Sequence, residues 1–323
     1  MKIVFCREGF RAIQDMLQSL LPDAELVCCA PEDITRVGQD ADVLIPAITP
    51  LGEAELSLPR LKLVQQFGAG LDAVDIPAAS KNGVYVANVP AAGTGNAESV
   101  AEVAVMLMLT LARQFPKAQK NIRDAVVAGP TGWSLKGRTA LIVGYGGIGH
   151  EVARRLSGFE MEVLAVSHSG PKNTAQERAI PLAQHSSGDA LHELLPRADF
   201  VILAPPLNDA TRGLIAAAEF ALMKPTAFVV NVARGGVIDY EALLDALKKK
   251  QITGAGLDVF WQEPVDPNDP LFNYNIIATP HIGGATDLSF KGIASKVAEN
   301  IRRVERAEMP LNCVNASDCS GSA

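Results

Sequence analysis

The apolar run Thr139-Ala140-Leu141-Ile142-Val143 passes directly into Gly144-Tyr145-Gly146-Gly147-Ile148-Gly149 and then into an amphipathic stretch, Gly147–Leu156. Strand, glycine turn and helix in that order confine this part of the chain to a parallel βαβ unit. The spacing alone carries little, because 27 glycines produce G-x-G-x-x-G by chance; the flanking strand and helix give it weight. Gly144 permits a tight turn, Gly146 lets a pyrophosphate approach the backbone, and Gly149 lets the helix press on the strand. A helix N-terminus attracts phosphates. A tight turn that binds nothing is the alternative.

Short apolar runs alternate with helix-length amphipathic stretches along the whole chain, the pattern of an α/β protein with parallel sheets. A first series of strands is expected at Lys2–Cys6, Glu25–Cys29, Asp42–Pro46, Lys62–Gln66 and Val84–Ala87, with helices at Phe10–Leu21 and Ile76–Lys81. A second series is expected at Arg138–Val143, Glu162–Val166, Phe200–Leu203, Ala227–Val230, Gly254–Asp258 and Ile276–Ala278, with further helices at Ala190–Leu195 and Tyr240–Lys249. Strands so uniformly apolar belong to a sheet covered on both faces. One helical pattern, Ala97 to Val127, joins the series; Val100, Val103, Ala104, Leu107, Met108 and Leu111 recur at three- and four-residue steps, and Pro116 kinks or ends it. A final helix, Leu288 to Arg306, follows the second series and is placed to return to the first domain. The polar tail, Asn315 to Ala323, is expected to fray.

A formal charge of -7 argues against nucleic acid as the main partner. No uninterrupted apolar stretch approaches the roughly 20 residues of a membrane span, and the N-terminus reads as a strand, not a signal peptide. The five cysteines, Cys6, Cys28, Cys29, Cys313 and Cys319, show no C-x-x-C spacing, which suits a reducing, cytoplasmic setting, and Cys6, Cys28 and Cys29 fall in apolar runs that suit buried thiols. His150, His168, His185 and His192 form no ligand pattern with carboxylates, so no metal is expected.

Ser167 is the eighteenth residue after Gly149, where a site for NAD presents an acid to the ribose 2′-hydroxyl. A carboxylate there would repel a 2′-phosphate; Ser167, with His168 and Lys172 nearby, can accept one. The expected cofactor is therefore NADP, or both nucleotides, in preference to NAD alone. No arginine accompanies the serine, and NAD bound without that contact is the alternative.

Three further segments each follow a strand: Asn231-Val232-Ala233-Arg234-Gly235-Gly236, Asp258-Val259-Phe260-Trp261-Gln262-Glu263-Pro264 and Thr279-Pro280-His281-Ile282-Gly283-Gly284. Each puts an ionisable residue past the carboxyl end of a strand, where open α/β sheets bind ligands. From Arg234 to Glu263 is 29 residues, and from there to His281 is 18. On these segments and spacings the chain resembles the D-isomer-specific 2-hydroxyacid dehydrogenases, from about Asp42 to Leu311.

The resemblance implies two Rossmann-like, doubly wound parallel-sheet domains separated by a cleft. A discontinuous substrate domain would comprise residues 1–98 and 285–323, and a dinucleotide domain residues 99–284. It implies a homodimer with contacts in the helical region after the first domain. It implies hydride transfer between NAD(P)H and a small anionic 2-keto acid, giving a D-2-hydroxy acid, with Arg234, Glu263 and His281 catalytic. Arg234 can grip carboxylate and ketone with its donor fork. His281 is the proton donor or acceptor, because imidazole titrates near neutral pH. Glu263 orients the ring and favours its charged form. Phe67-Gly68-Ala69-Gly70-Leu71-Asp72 resembles the family's substrate loop, with Ala69 and Gly70 at its centre, although a plain turn would look similar. The cofactor residues implied are Gly144, Gly146, Gly147, Ile148, Gly149, Ser167, His168, Pro206, Thr211, Val232, Ala233, Arg234, Asp258, His281 and Gly283. Asp258 either reaches the nicotinamide end or caps a turn. Trp261 either lines the cleft or packs. Asn208 stands where the family usually has threonine after Pro-Leu, and Thr94, near the Val100-Ala101-Glu102 segment, is a further cofactor candidate.

The compact length and the loop that leans to NADP favour glyoxylate or hydroxypyruvate as substrate. Other substrates on the same machinery are 3-phosphoglycerate, D-lactate, formate or phosphite. A non-catalytic NAD(P)-sensing scaffold is the reading from another class, because fold does not dictate function. A methyltransferase with a glycine-rich loop would not need Arg234, Glu263 and His281 together.

Overall fold

The computed structural model describes residues 1–172 and 179–319. The first strand series forms a sheet of β1 (Lys2–Phe5), β2 (Glu25–Cys28), β3 (Val43–Ile45), β4 (Leu63–Gln65) and β5 (Tyr85–Ala87), ordered β2-β1-β3-β4-β5. The second comprises β6 (Thr139–Val143), β7 (Glu162–Ser167), β8 (Gln184–Ser187), β9 (Phe200–Leu203), β10 (Phe228–Asn231), β11 (Gly254–Leu257) and β12 (Ile276–Ala278), ordered β12-β11-β10-β9-β6-β7-β8. All pairings between these strands are parallel. In both sheets the order reverses around the opening strand, which makes each a doubly wound, Rossmann-like layer.

The chain divides into two compact units, one of residues 1–96 with the chain from Asp287 onward, the other Ala97–Thr286. In the first, the helix Asp287–Glu305 buries Ile293, Ala294, Val297 and Ile301 against Ile3, Phe5, Val43 and Leu63. In the second, the helix Asn96–Ala112 sets Leu107, Met108 and Leu111 against Ile142, Phe200 and Val230. Gly256 makes that approach possible, since a Cβ there would stand 2.9 Å from the Cβ of Leu107.

Four sequence expectations are corrected. The pattern from Ala97 to Val127 is two helices, Asn96–Ala112 and Phe115–Arg123. They part at Gln114, whose φ of 48° is left-handed. Pro116 therefore opens the second helix, where its missing N–H costs nothing. The helix expected over Ala190–Leu195 is a single turn, Leu191–Leu194, between 3-10 turns. Strand β8, Gln-His-Ser-Ser, and the helix Ala217–Leu222 were not anticipated. β8 lies at the sheet edge and needs no apolar run.

The tail is anchored at its start. Asn315 is 1% exposed; its Oδ1 accepts from Val86 N at 2.8 Å, and its Nδ2 donates to Val84 O at 2.9 Å and Ser80 Oγ at 3.1 Å. The helix Ala316–Cys319 follows it; residues 320–323 lie outside the described residues. Asn315→Ala would leave the Val86 N–H without a partner and the Val84 carbonyl with only the weak Cys319 thiol donor, at about 2–4 kcal/mol. The denaturant midpoint should fall accordingly with unchanged slope; a loss below about 0.5 kcal/mol would mean the tail is not held this way.

Candidate active site

The carboxyl ends of β6, β7, β9, β10, β11 and β12 meet the three ionisable segments and the glycine turn on one edge of the second sheet. Gly144 has φ +95°, and a Cβ there would lie 2.5 Å from Pro205 N. At Gly149 a Cβ would lie 2.2 Å from Gly144 O, so the helix Gly147–Ser157 sits directly on the turn. Above Gly146 there is open space. Closed behind and open in front, with the first amides of an 11-residue helix at the mouth, the turn fits a pyrophosphate.

Ser167 ends β7, with its hydroxyl 2.9 Å from His185 Nε2 and 3.3 Å from Gly170 O. His168 and Lys172 are exposed beyond it. Pro206 and Thr211 belong to one loop, in which the Thr211 hydroxyl donates to Pro206 O at 2.6 Å. Asn208 Oδ1 accepts from the amides of Ala210 and Thr211.

Val232 and Ala233 are buried and Arg234 is half-buried. Asn231 fixes their turn: Oδ1 accepts from Ala233 N and Nδ2 donates to Arg234 O. Arg234 Nη1 donates to Ala233 O at 2.8 Å. A Cβ on Gly235 would stand 2.1 Å from the carbonyl carbon of Phe260, so the arginine turn packs backbone to backbone on the segment that carries Glu263.

Asp258 is 2% exposed, and its carboxylate accepts from Thr279 Oγ1 at 2.6 Å, Ile282 N at 2.9 Å and Gly283 N at 2.8 Å. These bonds clamp the turn in which His281 adopts φ +55°. His281 Nδ1 lies 2.7 Å from Glu263 Oε2, while Glu263 Oε1 accepts from Phe260 N at 3.0 Å. Burial would raise the Glu263 pKa, but the His281 hydrogen bond, the Phe260 amide and the charges of His281 and Arg234 outweigh it and hold the carboxyl below its ordinary range. Ionisation is thus easier folded than unfolded. The pair stabilises the protein at neutral pH, and that contribution is lost as pH falls through the lowered folded value. With Nδ1 engaged, Nε2 is the nitrogen that can exchange a proton with a ligand. Trp261 donates from its indole to Ile238 O at 2.6 Å and packs edge-on to Tyr240, a packing role.

In the first unit, the loop after β4 has its carbonyls tied back: Gly68 O to Val89 N, Ala69 O to Asn88 Nδ2 and Gly70 O to Gln66 Nε2. Gly68 has φ +133°. The amides of Ala69 and Gly70 donate to no acceptor among the described residues. Thr94 donates its hydroxyl to Ala91 O at 2.9 Å. Sequence reasoning missed Gln66, Asn88 and Asn231, the amides that shape these turns. Their signal is a polar amide at the end of an apolar strand.

A doubly wound sheet with this turn and this edge defines a dinucleotide-binding oxidoreductase. Residues 105–283 match the family model described as D-isomer specific 2-hydroxyacid dehydrogenase, NAD binding domain. A glyoxylate reductase of Korarchaeum cryptofilum is 38% identical over 291 residues, covering 87% of this chain and 85% of that one. A D-3-phosphoglycerate dehydrogenase of Methanocaldococcus jannaschii is 36% identical over 288 residues, 88% of this chain and 53% of its own. Among solved structures, an NADPH-dependent glyoxylate/hydroxypyruvate reductase of Sinorhizobium meliloti, in complex with NADP and malonate, superposes with TM-score 0.83 at 26% identity, covering 97% of this chain and 96% of that one. The chain belongs to the D-isomer specific 2-hydroxyacid dehydrogenase family. It is a nicotinamide-dependent oxidoreductase of 2-hydroxy and 2-keto acids.

The Gly235 packing gives a paired prediction. Gly235→Ala should cost about 3 kcal/mol or more by forcing backbone apart. Gly236→Ala, whose Cβ would meet the movable Leu207 side chain at 3.3 Å, should cost under about 1 kcal/mol. Equal melting temperatures for the two would contradict the packing described.

Proposed function

We propose that this protein reduces a small 2-keto acid, glyoxylate or hydroxypyruvate, to the D-2-hydroxy acid, with NADPH preferred to NADH. The observation that carries the reaction is the His281–Glu263 pair beside Arg234, held at the strand ends by Asp258. Glyoxylate, hydroxypyruvate and NADPH are favoured by the names of the relatives and by Ser167 standing where an acid would mark NAD.

Gly144–Gly149 would hold the pyrophosphate of a reduced nicotinamide dinucleotide, which when bound would supply the hydride for the substrate's carbonyl carbon. Arg234 binds the carboxylate and the ketone oxygen and draws charge onto that oxygen. His281 gives its Nε2 proton to the oxygen and is left neutral, to be reprotonated from solvent. Glu263 keeps Nε2 directed at the substrate. In oxidation His281 takes the proton back. Asp258 holds the turn that carries His281. In the first unit, the amides of Ala69 and Gly70 suit a carboxylate, as backbone nests do. That unit is the substrate domain, and 97–286 the cofactor domain.

Turnover is read as loss of reduced-nicotinamide absorbance with glyoxylate, hydroxypyruvate and pyruvate. His281→Ala should lower kcat by about 10²- to 10⁴-fold while NADPH binding persists. Glu263→Gln, which removes the ionised acceptor that orients the imidazole, should lower kcat with little change in KM. Cofactor binding without turnover of any 2-keto acid would sink the proposal in favour of a sensing scaffold.

The assembly proposed is a homodimer in the cytoplasm. The dimer is supported by exposed apolar side chains on and after the helix Phe115–Arg123: Phe115, Ile122, Val126 and Val127, the last 89% exposed. All five cysteines are free thiols, which suits a reducing compartment. No helix among the described residues is long and apolar enough to cross a membrane. Ile122→Asp with Val127→Asp should halve the mass measured by light scattering; an unchanged mass would rule this face out as the contact.

A further inference from the structure

β7 and β8 run parallel with Ala165 opposite His185 and Ser167 opposite Ser187. Alternate residues share a face, so Ala165, Ser167 and His185 point the same way. The imidazole is packed edge-on against Tyr145 at 4.9 Å between centroids, and Tyr145 is the residue between Gly144 and Gly146. Its Nε2 lies 2.9 Å from Ser167 Oγ. The ring therefore spans from the glycine turn to the position that faces the adenosine ribose in the function proposed above, on which this inference rests.

A serine hydroxyl has one proton, and its partner decides where that proton points. Against neutral His185 with a bare Nε2, Ser167 donates to the ring and offers its remaining lone pair outward. That suits a ribose 2′-hydroxyl, which is a donor. Once His185 is protonated, Nε2–H must donate to Ser167. The hydroxyl proton is then released to the weak acceptor Gly170 O at 3.3 Å or to a ligand. A phosphate oxygen wins that competition, because its bond is charge-assisted and the imidazolium adds attraction.

We propose that His185 is a specificity-determining residue for the cofactor, setting through its protonation whether Ser167 reads a 2′-hydroxyl or a 2′-phosphate. Preference for the phosphorylated nucleotide then rises as pH falls through the range in which imidazole titrates. Among the described residues, the other titratable and charged groups on the elements around His185 are Tyr145, with His150, Glu151, Arg154 and Arg155 on the helix behind it, Glu162 at the start of β7, His168 and Lys172 past Ser167, and Asp189, His192, Glu193 and Arg197 on the turns after β8. The phosphate's own second ionisation, near about pH 6, works in the opposite direction.

The test is calorimetric titration of the full chain with 2′,5′-ADP and with 5′-ADP, at about pH 6 and about pH 8, in wild type, His185→Gln and Ser167→Ala. In wild type the affinity ratio favouring 2′,5′-ADP should rise about tenfold from the higher to the lower pH. In His185→Gln, where a permanently neutral amide replaces the ring, the ratio should not rise. In Ser167→Ala it should be low at both. The 5′-ADP affinity, retained in all three, reports that the site is folded. A ratio that rises equally in wild type and His185→Gln overturns the role of His185. Failure of wild type to bind either nucleotide overturns instead the reading of the glycine turn as the cofactor site.

Discussion

A carboxylate with almost no solvent exposure is stable only if its oxygens are fully hydrogen-bonded, and Asp258 meets that demand with one hydroxyl and two backbone amides of a single turn. Removing it would take three bonds from the segment Thr279–Gly283 and leave the left-handed conformation of His281 to the backbone bonds of Thr279 N and His281 N. The pairing of His281 with Glu263 depends on that conformation, and so does the depressed ionisation of Glu263. A buried charge here is thus spent on geometry. The reactive groups stay on the half-exposed side of the sheet edge, at 35% for His281 and 26% for Glu263, where they can meet a substrate.

The same edge is assembled by close backbone approaches that only glycine allows. Gly149 brings a helix onto Gly144, Gly235 brings the arginine turn onto Phe260, and Gly283 leaves room for the Asp258 carboxylate 2.7 Å from where a Cβ would be. Each contact joins loops that leave different strands. In a parallel sheet those loops all emerge at one end, so a few glycines draw residues distant in sequence into one layer.

Which parts of this were legible in the sequence follows from what each part is made of. Interior strands are legible because both faces are buried and the run must be apolar, as in Phe200–Leu203 and Val43–Ile45. β8 is not, because its edge position leaves Gln184, His185 and Ser186 half-buried. The break at Gln114 is a backbone torsion in an ordinary residue, while the nearby Pro116 drew attention to the wrong position. Asn315 looked like frayed tail because its partners, Val84 and Val86, lie some 230 positions away. At the site, Arg234, Glu263 and His281 stood out through their place after strands. Gln66, Asn88 and Asn231 did not, since an amide that ties down a turn leaves no pattern beyond its polarity.

Two histidines in the second unit show how a partner sets what a ring can do. His281 Nδ1 lies 2.7 Å from the Glu263 carboxylate, an acceptor that suits a protonated Nδ1 in either state of the ring. The tautomer of the ring is fixed by that bond. His185 faces a hydroxyl at 2.9 Å, which can donate to the neutral ring or accept from the charged one. That partner can accommodate either state of the ring. The first arrangement suits chemistry that must recur identically at every turnover. The second suits a contact whose polarity has to match whichever group arrives, and it needs only a serine where a carboxylate would have fixed the answer.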